Sequence, residues 1–171
     1  MIFPNKDKIL VHQCLRNNRL AQKELFERYY RAMFNTALRI VKDEETCYDV
    51  VQEAFILVFN NLEQFRFQST IGAWIKTIVV RQAIRKIRPE VTAGTTIQNY
   101  DAIVWPEDLS GEYLQKAILE LPDGYRTVFT MVEIEGYSHR EVAEMMQISE
   151  GTSKSQLYHA KRMLQKKVSG F

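Results

Sequence analysis

The chain has little of what enzymes, metal proteins and membrane proteins write into their sequences. It carries no glycine-rich phosphate loop, no nucleophile elbow and no paired acids in a pocket-like setting, so no catalytic machinery is visible. Its two cysteines, Cys14 and Cys47, lack the spacing of a metal knuckle or a redox pair and read as reduced, partly buried thiols. The three histidines, His12, His139 and His159, are scattered without a zinc-ligand pattern, so neither a metal nor another cofactor is expected. The start, Met-Ile-Phe-Pro-Asn-Lys, has no apolar core behind a charged end. No apolar run approaches the roughly 18–20 residues needed to cross a bilayer. A cytoplasmic protein without membrane insertion is expected.

One absence is local. Between Pro89 and Gln115 there is no Lys or Arg, whereas Glu90, Asp101, Glu107, Asp108 and Glu112 fall there. The flanking segments, Lys76 to Arg88 and Lys154 to Lys167, are strongly cationic, although the whole chain carries a net charge of only +2. Two basic modules around an acidic connector point to two contacts with a polyanion.

What is present is helical periodicity. At 171 residues and 46% hydrophobic content, the chain can build one large or two small cores. Helices are expected at Lys6–Arg16, Arg19–Val41, Asp43–Asn61 and, capped by Ser69, Thr70–Arg88, where Pro89 stops the last. Pro89 to about Ser110 shows no period and reads as a linker. Tyr113–Leu121 and Tyr125–Glu135 follow. The expected fold is all-α, with two small helical domains joined by a flexible linker: a bundle at 8–89, an acidic linker at 90–109 and a smaller lobe at 110–170.

The last third reads as two helices joined by a tight turn. Ser138 and Glu141 have the spacing of a capping box, with Val142, Ala143 and Met146 on one face. Gln147-Ile148-Ser149 matches a helix-turn-helix connector, and Ser149 caps a second helix with Leu157, Ala160, Leu164 and Val168 as its buried stripe. Its other faces are expected to show Lys154, Ser155, Gln156, Tyr158, His159, Lys161, Arg162, Lys166 and Lys167. That composition suits a DNA major groove. The alternative is an amphipathic hairpin with a solvated basic face.

In the first lobe, Asp49, Gln52, Glu53 and Ile56 share one face of the third helix, opposite Val50, Val51, Ala54 and Val58. An acidic-polar patch ending in an apolar residue suits docking on a basic helical partner, or is simply a solvated face. On the fourth helix Trp74, Ile78, Arg81, Arg85 and Arg88 form a stripe, with Val79, Val80, Ala83 and Ile87 around the other side. Aromatic and cationic residues interleaved in this way match single-stranded DNA binding, though Trp74 fits a core position as well. The loop Gln64–Thr70 adds Arg66 and polar side chains able to cup an unstacked base.

Asp49-Val-Val-Gln-Glu-Ala-Phe55, the Gly72-Ala-Trp-Ile-Lys-Thr-Ile78 segment, Leu121-Pro-Asp-Gly-Tyr-Arg-Thr-Val-Phe129, Glu135-Gly-Tyr-Ser-His-Arg-Glu-Val-Ala143 and Ile148-Ser-Glu-Gly-Thr-Ser-Lys-Ser-Gln-Leu157 together resemble a bacterial extracytoplasmic-function sigma factor of the sigma-70 family. The resemblance spans nearly the whole chain, in the family's order. It implies a non-catalytic, dissociable specificity subunit without a cofactor. Its partners would be core RNA polymerase (β′ clamp helices and β subunit), promoter DNA and an anti-sigma factor. The clamp would be bound by Asp49, Gln52, Glu53 and Ile56. The −10 element would be bound and melted by Arg66, Trp74, Arg81, Arg85 and Arg88. The −35 element would be read by Thr152, Lys154, Ser155, Gln156, Tyr158, His159 and Arg162. Arg81 stands where the family usually has Asn, Thr77 where Arg is common, and His159 where Arg is frequent. Two rivals are a stand-alone helix-turn-helix regulator, which would bind duplex tightly without polymerase, and a helical adaptor that binds no DNA.

Overall fold

The computed structural model describes residues 5–87 and 111–168, and among them every regular element is helical. The chain divides into two compact units, one up to Lys86 and one from Ile87. The expected linker at 90–109 and Arg88 lie outside the described residues.

The first unit contains α1 (Asn5–Leu15), α2 (Arg19–Val41), α3 (Glu44–Asn60) and α4 (Ile71–Ile87). Local chemistry sets the boundaries. The Asn18 side chain accepts from the amides of Leu20 and Ala21, starting α2, and Lys42 ends that helix in the left-handed conformation. Asp43 caps α3 by accepting from the Thr46 amide at 2.7 Å, and these hydrogen bonds hold its carboxyl below the usual carboxylate range. The cap of α4 is one residue later than expected. The Thr70 hydroxyl, not that of Ser69, accepts from the Ala73 amide at 3.2 Å. Thr70 directly precedes the first helical residue, so its side chain reaches the open amides of the first turn.

The core of this unit is built where the periods predicted. Val50, Val51, Ala54 and Val58 of α3 are buried, as are Val79, Val80 and Ala83 of α4, with Ile87 half-buried. Each buried valine among them contributes about 1.5–3 kcal/mol by leaving water, and the alanines less. Leu25, Met33, Ala37 and Ile40 supply the α2 face. Phe26 and Tyr30 stay half-buried. They join Phe34 and Tyr48 in a ladder of ring contacts across α2 and α3, with centroids 4.9–5.8 Å apart. Both cysteines are buried free thiols. Cys47 donates to the Phe34 carbonyl, and burial pushes its thiol up to about 12, so it is inert at neutral pH.

The second unit contains α5 (Gly111–Leu119), α6 (Asp123–Phe129), α7 (His139–Met146) and α8 (Glu150–Val168). α6 runs directly into a π-helical turn at Thr130–Ile134, and Gly136 at φ 77° then reverses the chain into α7. The turn between α5 and α6 is locked from inside. Arg126 is only 1% exposed and donates to the Leu121 carbonyl at 2.8 Å and to Asp123 Oδ1 at 2.7 Å. α8 packs on α5, α6 and α7 through Leu157, Ala160, Leu164 and Val168, all buried.

Candidate functional site

Three surfaces carry the candidate residues. The helix-turn-helix is held by caps at both starts. Ser138 and Glu141 form a complete capping box, which holds the Glu141 carboxyl below its ordinary range. Ser149 Oγ accepts from the Thr152 amide at 2.9 Å and meets the Thr152 hydroxyl at the same distance. Gln147, in the left-handed region, closes α7, and the Ile148 amide reaches back to the Ala143 carbonyl. His139 Nδ1 lies 2.9 Å from Ser153 Oγ and ties α7 to α8. Burial is the main reason that this imidazole titrates below its ordinary value, with Lys154 and Lys161 adding to it against Glu133 and Glu150.

On α8, Lys154, Tyr158, Arg162 and Lys166 recur every fourth residue along the side away from the core, with Tyr158 half-exposed and the three cations exposed. Lys161 pairs with Glu133 at 2.8 Å and Lys167 with Glu120, whereas Lys154, Arg162 and Lys166 have no acid partner among the described residues. His159 stacks on Tyr125 with centroids 5.8 Å apart. Tyr125, Tyr158, His159, Arg162, Met163 and Lys166 surround an open cavity of about 350 Å³ that contains no acid. Lys166 was expected on this outward side, whereas Tyr125 and Met163 were not among the residues singled out from sequence. Tyr125 belongs to another helix, and only the fold brings it to α8.

Two residues expected outward on α8 are not there. Gln156 is 2% exposed, because it lies three residues after buried Ser153 and four before buried Ala160 and so falls on the packed face. Ser155 is also 2% exposed, its hydroxyl turned back onto the Thr152 carbonyl at 3.0 Å rather than outward. Thr152 and His159 are half-buried.

The second surface is on α3. Asp49, Gln52, Glu53 and Ile56 are all exposed, Ile56 at 59%. Asp49 lies 3.5 Å from Lys86 of α4, an exposed pair worth little to stability. Exposed Tyr48, one turn before Gln52, puts the end of the aromatic ladder beside this acidic patch.

The third surface is on α4 and the loop before it. Arg66, Arg81 and Arg85 are exposed, and Arg85 Nη2 donates to Gln82 Oε1 at 2.6 Å. Trp74 is half-buried, its ring 5.6 Å from that of buried Phe65, so it anchors the loop on one edge and meets solvent on another. Phe67 sits at φ 57° and was not anticipated. Arg88 lies outside the described residues. Among those described, no group of His, Cys, Asp and Glu is placed to hold a metal ion. No described helix is long and apolar enough to cross a membrane.

Comparison with known proteins supplies the frame for these surfaces. Residues 25–91 match the family model described as Sigma-70 region 2, and residues 111–164 match Sigma-70, region 4. The chain is 29% identical to the ECF RNA polymerase sigma-E factor of Haemophilus influenzae, over 95% of each chain. It is 26% identical to the ECF RNA polymerase sigma factor SigW of Bacillus subtilis, over 92% of this chain and 94% of that one. Its fold resembles that of CnrH, solved in complex with the cytosolic domain of CnrY, at a TM-score of 0.58 and 21% identity over 96% and 97% of the two chains. It also resembles the sigma factor RpoE of Bartonella quintana, solved in complex with the anti-sigma factor NepR, at a TM-score of 0.54 and 22% identity over 84% and 94%. With two regional models in their family order and relatives matched nearly end to end, the chain belongs to the extracytoplasmic-function sigma factors of the sigma-70 family, the RNA polymerase subunits that direct promoter-specific initiation of transcription.

Proposed function

We propose that the chain works as a cytoplasmic, non-catalytic specificity subunit whose three surfaces act in sequence. Residues 8–89 serve as the region 2-like domain, 90–109 as an acidic linker that follows a basic channel of the polymerase, and 110–170 as the region 4-like domain. Asp49, Gln52 and Glu53 set register on the β′ clamp helices through charge, and Ile56 anchors the contact by burial. α8 reads the −35 element as duplex. The −10 element is captured as single strand by Arg66, Arg81, Arg85 and Arg88, with Trp74 holding the shape of the loop.

The observation that carries this reading is the α8 row Lys154, Tyr158, Arg162 and Lys166, turned away from the core by a fully capped helix-turn-helix. Lys154 to Lys166 spans about 18 Å of helix, more than the roughly 12 Å width of a major groove. The Lys154 end therefore reaches base edges while the Lys166 end stands over phosphates at the groove's lip. Gln156 and Ser155, being buried, act beneath this surface rather than as base readers. Anti-sigma control is part of the proposal, on the likeness to RpoE solved with its anti-sigma factor.

Fluorescence anisotropy of a labelled promoter duplex tests the reading. The protein with core polymerase should bind at nanomolar concentrations and the protein alone only weakly. Tight binding by the protein alone would favour a stand-alone helix-turn-helix regulator.

A further inference from the structure

The loop before α4 holds a backbone outlier that the promoter-opening reading leaves unexplained. Phe67 occupies the left-handed region at φ 57°. A side chain crowds the backbone there, and bulky residues stay in that region only where their surroundings impose it. Glycine would make this turn without strain, yet an aromatic ring stands here. The ring is gripped. It lies 4.8 Å from the Phe65 ring and 5.8 Å from the His12 ring, and Lys8 Nζ sits 5.8 Å from its centroid. Phe65 is buried and meets Trp74 in turn. Lys8 and His12 are one turn apart on α1 and so share a face. α1 itself is fixed by buried Leu10, Val11 and Cys14, and by Asp7, which pairs with Arg28 of α2 at 2.7 Å. On either side of Phe67, Arg66 and Gln68 are exposed.

We propose that α1 braces the strand-capturing loop: Lys8 and His12 hold the Phe67 ring, and the left-handed turn this secures keeps Arg66 and Gln68 outward for the displaced promoter strand. The inference rests on the reading of this loop as part of the −10 surface. Lys8 and His12 are positioning residues, since they touch Phe67 and not DNA. A loop ordered beforehand spares the ordering cost at the moment of capture, so the brace acts on opening and not on polymerase binding or duplex recognition.

The test uses the full chain assembled with core polymerase on a promoter, reading strand opening by permanganate reactivity of thymines. Lys8→Ala with His12→Ala should slow opening by about fivefold or more, with polymerase affinity and closed-complex formation unchanged. His12→Phe, which keeps a ring against Phe67, should open near the wild-type rate. Phe67→Gly relieves the backbone but removes the ring, so the protein should fold as well as wild type and open as slowly as the double variant. Wild-type opening by either the double variant or Phe67→Gly overturns the brace. Arg66→Ala with Gln68→Ala separates the two levels of the argument. If that variant opens the promoter as fast as wild type, the loop's role falls and the brace with it, whereas slow opening by it beside normal opening by the Lys8 and His12 double variant overturns the brace alone.

Discussion

Arg126 should be the single residue on which the second unit depends most. Its guanidinium is 1% exposed and spans the α5–α6 turn, from the Leu121 carbonyl at 2.8 Å to Asp123 Oδ1 at 2.7 Å. Arg126→Met keeps most of the volume but strands the Leu121 carbonyl, at a cost of about 1–3 kcal/mol for an unmet buried acceptor. Asp123 adds little, because its side chain is 54% exposed and can be solvated when the partner leaves. Loss of the packed guanidinium and of the turn geometry brings the total to about 3 kcal/mol, the upper end for leaving a buried acceptor unmet. The described part of this unit, residues 111–168, is near the lower limit of what burial alone stabilises. For such a unit each 1 kcal/mol shifts the midpoint by about 4–8 °C, so the loss should exceed roughly 12 °C. Calorimetry of the full chain should therefore show the second unit melting early, with the first unit's transition unmoved. Arg126→Lys should recover little of this, because one ammonium cannot replace the two-pronged contact. A midpoint within about 4 °C of wild type for Arg126→Met would refute the reasoning.

Charge reversal at Asp49 and Glu53 should weaken binding of core polymerase at least tenfold in a pull-down or anisotropy titration, about 1.4 kcal/mol, with helicity intact; wild-type affinity would remove α3 as the dock. Lys154→Ala should change the ranking of −35 variants by about 1–3 kcal/mol per lost base contact. Gln156→Ala should instead lower the second unit's melting temperature and leave the ranking alone, since the side chain is 2% exposed. Arg81→Ala with Arg85→Ala should spare polymerase binding and −35 recognition yet reduce permanganate reactivity in the bubble, and normal opening would make this stripe a solvated face. His139 titrates below its ordinary value near 6.5, so the fold favours the neutral ring. Its stabilisation is complete above about pH 6.5 and is lost as the pH falls from there through the lowered folded value. A thermal-melt series from pH 7.5 to 5.5 should show this loss in wild type and not in His139→Asn.

Much of this was legible before the structure, and what was not has physical causes. The bounds of α2 and the capping box at Ser138 follow from local chemistry, where a side chain and the amides it caps lie within four residues of each other. The buried stripes Val50–Val58 and Leu157–Val168 follow from a period that does not depend on what lies opposite. Gln156 and Ser155 were misplaced because polarity alone argued for exposure, whereas α8 buries a wide arc against three helices. Ser69 lost the cap of α4 to Thr70 because two hydroxyl residues in a row are both good caps, and the backbone chooses between them. The grip of α1 on Phe67 pairs residues more than fifty positions apart, and no local pattern reports such a contact. The cavity formed with Tyr125 is hidden for the same reason.

The central claim is that this chain gives core polymerase its choice of promoter, and run-off transcription measures that directly. Purified core polymerase would be supplied with fragments bearing candidate promoters, with and without the full chain. A transcript with a defined start should appear only when the protein is present. It should disappear both for the Asp49 and Glu53 charge reversal, through lost docking, and for the Arg81 and Arg85 double alanine, through lost opening. If core polymerase gave the same transcripts with and without the protein, while the protein alone bound duplex tightly, the account would be contradicted.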